Sequence, residues 1–173
     1  CRQAVSDLPV TVKLLDSLRK SARLVSTHYS TQIEGNRLTQ EQVQEVVLQG
    51  GTFPNRERDE QEVRNYYLAL DYVDALIADM GELTQAQVKK LHGLVMTGKE
   101  KPTPYRDGQN VIRDSASGGV VYMPPEAKDV PHLMTEFVAW LKAEQTSHEL
   151  PAPVMAGLAH YQFATIHPYY DGN

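Results

Sequence analysis

The chain has 173 residues, 41% of them apolar and 23% charged, a composition that fits a folded globular protein and excludes a disordered one. Its formal charge of −5 argues against a nucleic-acid-binding surface, and no apolar run reaches the ~18 residues of a membrane span. A single cysteine, Cys1, excludes an internal disulfide framework, and no basic-then-apolar leader opens the chain, so a cytoplasmic setting is expected.

A helical period begins at Val10 and continues through Leu14, Leu15, Leu18, Ala22 and Val25, with Arg19, Lys20 and Arg23 between them. This helix is expected to reach Glu34, where Gly35-Asn36 offers a left-handed end. Thr39 and Gln42 have the spacing of a capping box, opening a helix through Leu48 that halts at Gly50-Gly51. A charged stretch, 56–62, leads into Val63, Tyr66, Tyr67, Leu70, Val73 and Ile77, a long amphipathic helix. Thr84 and Gln87 repeat the capping box, and Val88, Leu91, Leu94 and Val95 carry a helix to Gly98.

The helical pattern then fails. Between Lys101 and Pro125, prolines and glycines punctuate two β-rich pieces, 110–112 and 120–123, which predict a hairpin. A lone hairpin is marginal in water, so it is expected to lie on the helical body. Leu133, Phe137, Val138 and Leu141 mark a further amphipathic helix. From Val154 to Ile166 the residues are apolar nearly all round, which predicts a helix buried at the centre of a bundle, with His160 serving packing or a structural hydrogen bond. The expected class is all-α with a β-hairpin flap.

Pro168 cannot continue that helix, so the chain must turn after His167. Imidazole is a ready general base near neutral pH, and Asp171 supplies a hard oxygen ligand suited to Mg²⁺. Gly172 and Asn173 adopt backbone angles that let N–H groups converge on an anion. Spacing alone leaves two readings open: a site for attack on phosphorus, or a helix end carrying a histidine in ordinary turn chemistry.

The stretch from His167 to Asn173, HPYYDGN, resembles the first seven positions of the Fic family signature, HPFxDGNGRxxR, with Tyr169 in place of Phe. The similarity extends back through Ala159-His160-Tyr161-Gln162-Phe163 and Ile166, and to the hairpin ending in Tyr122-Met123-Pro124-Pro125. The resemblance implies a Fic-type helical bundle that transfers AMP from ATP to a Ser, Thr or Tyr hydroxyl of a protein. In that reading His167 is the base, Asp171 holds Mg²⁺, and Gly172 with Asn173 cradles the phosphates. The flap around Val111, Ile112 and Tyr122 would wall in the nucleotide and dock the target as an added strand. A hairpin that merely covers the core is the plainer alternative. Tyr169 would anchor the loop in the core.

A second stretch, Ser30-Thr31-Gln32-Ile33-Glu34-Gly35, resembles the family's inhibitory motif, [S/T]xxxE[G/N]. Read alone, Glu34 is a poor fit to the negative end of a helix. The resemblance makes it an obstructing carboxylate, pairing with the second arginine of the signature and repelling phosphate, with Ser30 and Gly35 completing the motif. The expected division is an N-terminal inhibitory region, 1–80, and a Fic core, 81–173. Because the chain opens on Cys1 and closes inside the signature, it is expected to be a fragment, inactive alone. A phosphate-transferring relative and a non-catalytic interaction module stand as alternatives. The target protein, self-modification and homo-oligomerisation are left open by the sequence.

Overall fold

The computed structural model describes residues 11–79, 82–147 and 149–173, so Cys1 and Val10 lie outside the described residues. Six α-helices and one short hairpin follow in order: α1 (Val12–Ile33), α2 (Gln40–Gln49), α3 (Glu57–Ala78), α4 (Gln85–Thr97), β1 (Ile112–Arg113), β2 (Val120–Tyr122), α5 (Val130–Ser147) and α6 (Ala152–Ile166). A 3₁₀ turn, Ala127–Asp129, runs directly into α5. No helix among the described residues is long and apolar enough to cross a membrane.

The chain forms two compact units, one ending at Asp71 and one from Tyr72 to Asn173, with the division inside α3. In the first, Leu38, Val43, Val46 and Val63 make a small core between α2 and α3. Both predicted capping boxes are formed, Thr39 with Gln42 and Thr84 with Gln87, and Gly50 and Gly98 end α2 and α4 in the left-handed region. Asp59 and Glu60 are buried at the start of α3, where Arg37 and Arg56 answer the first and Arg64 the second. Asn36 joins the end of α1 to α3 by donating to the Asp59 carbonyl and to Glu62.

The face of α1 that is buried differs from its apolar stripe. Leu14, Leu15, Leu18 and Val25 are exposed, and the buried residues are Leu24, Thr27, His28 and Thr31. Thr27 and Thr31 satisfy their hydroxyls on carbonyls one turn back, at Arg23 and Thr27, which lets a polar face enter the interior.

In the second unit the core joins Val88, Tyr105, Val130, Met134, Phe137, Leu141, Ile166 and Tyr169. The expectation of a fully buried α6 is not met. Ile166 is its one buried residue, while Val154 and Leu158 are about half exposed and Tyr161 is 68% exposed. The helix packs along one side, through Ala159 and Phe163, and no described element covers the rest of its apolar circumference. His160 is likewise exposed.

The hairpin is antiparallel, pairing Ile112 with Tyr122 and Arg113 with Val120, with an irregularity between Ile112 and Arg113. It does not bury its strands, since Val120, Val121 and Met123 are exposed. Its attachment is by hydrogen bonds instead. The Tyr122 hydroxyl donates to the Thr165 carbonyl at 2.7 Å, in the last turn of α6.

Candidate active site at the end of helix α6

Helix α6 ends where Pro168 must end it. His167 caps the helix in the left-handed region (φ 49°, ψ 61°), and its N–H donates to the Phe163 carbonyl at 2.9 Å. A non-glycine residue held there costs about 1 kcal/mol, a cost the surrounding contacts must offset. Beyond it, Asn173 folds back on the turn. Its Oδ1 accepts from the Tyr169 N–H at 2.8 Å, and its Nδ2 donates to the Tyr169 carbonyl at 2.9 Å.

That pair fixes which way the Asn173 amide points, because only the NH₂ end can face a carbonyl. The same Nδ2 lies 3.1 Å from His167 Nε2, so Nε2 is the acceptor and the neutral ring carries its proton on Nδ1. Partial burial pushes the His167 pKa down from its usual value, and the Arg106 guanidinium pushes it further. A hydrogen bond to the Ala164 carbonyl opposes both. The outcome is a half-buried imidazole kept neutral, with a lone pair on the nitrogen that faces Asn173.

Behind the loop, the ring of Tyr169 stacks on His92 from α4, with centroids 3.5 Å apart and planes 6° apart. His92 Nε2 donates to the Asp171 carbonyl at 2.8 Å, so its Nδ1 accepts from the Thr103 hydroxyl at 2.5 Å. Burial lowers the His92 pKa. Tyr169 is buried in the core as the sequence predicts, and desolvation raises its phenol pKa, as it raises that of Tyr105 to about 12. The Tyr169 hydroxyl lies near Thr103, whose one hydroxyl proton goes to His92, and the buried phenol oxygen has no hydrogen-bond partner.

Gly172 sits at φ +68° directly over this layer, where an added Cβ would meet Met96 Sδ at 2.5 Å and His92 Nε2 at 3.2 Å. Its N–H donates to Asp171 Oδ1 at 2.9 Å. The Asp171 carboxylate is exposed, and among the described residues no three His, Cys, Asp or Glu side chains converge to hold a metal. One exposed carboxylate suits Mg²⁺, whose remaining ligands are commonly water and substrate phosphate oxygens. A cavity of about 450 Å³ lies elsewhere, between α5 and α6, and a second of about 330 Å³ is lined by His92, Met96, Tyr105, Arg106, Tyr169, Tyr170 and Asp171.

Residues His167, Asp171, Gly172 and Asn173 are thus brought together in one turn, with Tyr122 tied to the helix that delivers it. Ile112 pairs with Tyr122 across the hairpin, and the Val111 N–H is taken by the Asn110 side chain at 2.9 Å. In the N-terminal unit, Ser30 accepts from the Tyr66 hydroxyl at 3.0 Å, Glu34 caps α1 with its side chain exposed, and Gly35 follows at φ +92°. Two residues of the site escape a reading of the sequence: His92 and Arg106. The capping box at Thr84 places His92 on a helix face with Val88, but nothing local marks its partner.

The sequence profile of the Fic/DOC family matches residues 82–173. The chain is 31% identical over 173 residues to a protein of Drosophila grimshawi named protein adenylyltransferase Fic, covering 99% of this chain and 35% of that protein. A counterpart of the same name in Drosophila virilis is 30% identical, with 99% and 34% covered. The chain therefore spans about a third of the length of the curated relatives it matches. Among solved structures, a Fic-domain-containing signalling protein of Bacteroides thetaiotaomicron superposes with a TM-score of 0.85 at 25% identity, over 95% of this chain and 62% of that one. A Fic family protein of Desulfovibrio desulfuricans G20 gives 0.71 at 30% identity, over 94% and 46%. With a profile match that runs over more than half of its residues and ends in this turn, the chain belongs to the Fic/DOC family.

Proposed function

We propose that this chain is the inhibitory region (1–80) and the catalytic core (81–173) of a protein adenylyltransferase. The observation that carries the reading is that His167 shares one turn with Asp171, Gly172 and Asn173, its Nε2 a hydrogen-bond acceptor that a target hydroxyl would take over from the Asn173 amide. The relatives named protein adenylyltransferase support the same reaction class. His167 Nε2 takes the proton of a target Ser, Thr or Tyr hydroxyl as its oxygen attacks the α-phosphorus of ATP, forming the new P–O bond and releasing pyrophosphate. Asp171 would hold Mg²⁺, which would supply neutralisation of phosphate charge, and the turn at Gly172 and Asn173 would cradle the phosphates. Val111, Ile112 and Tyr122 line the flap, against which the nucleotide and an extended target segment lie. The target is a protein hydroxyl, the chain's own side chains included.

In the same reading Glu34 is a brake, a carboxylate that takes the arginine meant for the terminal phosphate, with Ser30 and Gly35 shaping the end of its helix. A cytoplasmic setting fits the single cysteine. The test is transfer of label from α-³²P-ATP by the full-length protein and two variants. His167→Ala should lose roughly 10²-fold or more of the activity, as expected for removal of a general base. Glu34→Gly should label faster than wild type. Undiminished labelling by the His167 variant would refute the assigned base, and equal rates for wild type and Glu34→Gly would remove the brake.

A further inference from the structure

Arg106 is 3% exposed, and its partners are all carbonyls. Its Nε donates to the His167 carbonyl at 2.8 Å, Nη1 to Gly108 at 3.0 Å and Nη2 to Pro125 at 2.5 Å. Its backbone N–H donates to the Pro168 carbonyl at 2.9 Å. Gly108 lies just before the hairpin and Pro125 just after it, so the three side-chain bonds reach both roots of the flap and the base itself. A guanidinium is planar and its donors are fixed relative to one another. Moving either root therefore moves the donor that holds the His167 carbonyl.

The held residue is the one least able to hold itself. His167 is left-handed and its carbonyl points away from the α6 ladder, so the Arg106 bond stands in for a helical partner. The imidazole leaves the same Cα, so a shift of that backbone carries the ring with it. A buried cation without a carboxylate is costly, and its position between three loop carbonyls is what offsets that cost.

We propose that Arg106 is a positioning residue that ties both roots of the hairpin to His167, so that the seating of the flap and the orientation of the imidazole change together. As a statement about a catalytic base this rests on the adenylyltransferase reading above; the tie itself does not.

The test separates the two. In the 173-residue chain labelled on arginine and histidine, the Arg106 Nε–H should exchange at least ~10-fold more slowly than exposed guanidinium protons and in step with the His167 amide. Arg106→Gln and Arg106→Lys should both shift the His167 ring and Asn173 side-chain resonances and speed exchange of the His167 amide by at least ~10-fold. The amides of α2 should be unchanged. Loss of hairpin protection with the His167 signals unmoved would overturn the proposal, because Arg106 would then staple the flap alone. A lysine variant with wild-type His167 signals would also overturn it, since charge and not the fork would be acting. Should neither variant fold, the wild-type exchange decides: a freely exchanging Arg106 Nε–H defeats the tie. In the full-length protein, Arg106→Lys should lower kcat for AMP transfer with KM for ATP little changed. Absence of AMP transfer by wild type would sink the functional reading and leave the exchange data to judge the tie.

Discussion

The ring of His92 lies flat against that of Tyr169, with centroids 3.5 Å apart, while its Nε2 holds the carbonyl of Asp171. One side chain of α4 thus supports the signature loop from beneath at two points, one apolar and one polar. The stack leaves the Tyr169 hydroxyl in a place where only an aromatic edge is wanted.

Tyr169→Phe should therefore stabilise the chain. It keeps the stack and removes a buried hydroxyl that has no hydrogen bond, a change expected to gain up to about 1 kcal/mol. Urea denaturation of the two proteins measures it. A loss of more than about 1 kcal/mol would show that the hydroxyl is satisfied after all.

Acid should destabilise the fold in a window set by two histidines. Burial holds the folded-state pKa values of His92 and His167 below 6.5, so the unfolded chain binds protons first as pH falls. Their stabilising neutrality is fully present above 6.5 and is lost as pH drops from there toward the folded values. The urea midpoint should fall between pH 7.5 and pH 5.5 at constant salt. His92→Gln, which retains a donor for the Asp171 carbonyl, should flatten that slope, and an unchanged slope would count against the assignment.

Asn173→Asp should reverse the electrostatics of His167. A carboxylate oxygen would replace the donor that now faces Nε2 at 3.1 Å, and the proton would be drawn onto that nitrogen. The imidazole pKa, followed by NMR, should rise above its wild-type value. Activity of the full-length variant should drop near neutral pH, because the base would be occupied.

Gly172→Ala should cost about 1–3 kcal/mol, combining a left-handed non-glycine residue with a contact on Met96 Sδ and His92 Nε2. The His92 ring signals should move with it. A silent substitution would mean that the turn can rise off α4 without loss.

Much of this was legible in the sequence because it is local. Thr39, Thr84, Gly50 and Gly98 act within one turn of their own positions, and the stop at Pro168 needs no distant partner. His92 and Arg106 were not legible. Their bonds to Asp171 and His167 span 79 and 61 residues, and neither a lone histidine on an amphipathic helix nor an arginine in a loop announces such a partner. The apolar stripe of α1 and the all-round apolarity of α6 misled for a different reason. Periodicity states which side chains would gain from burial and says nothing of whether another element is there to cover them.

The choice of carbonyl partners for Arg106 also governs how the flap responds to its medium. Exposed ion pairs such as Lys142 with Glu82 and Lys128 with Glu126 weaken as ionic strength rises. A guanidinium seated among backbone dipoles, away from solvent, has no counter-charge that mobile ions could replace. The root of the hairpin should hold equally well in dilute buffer and in molar salt.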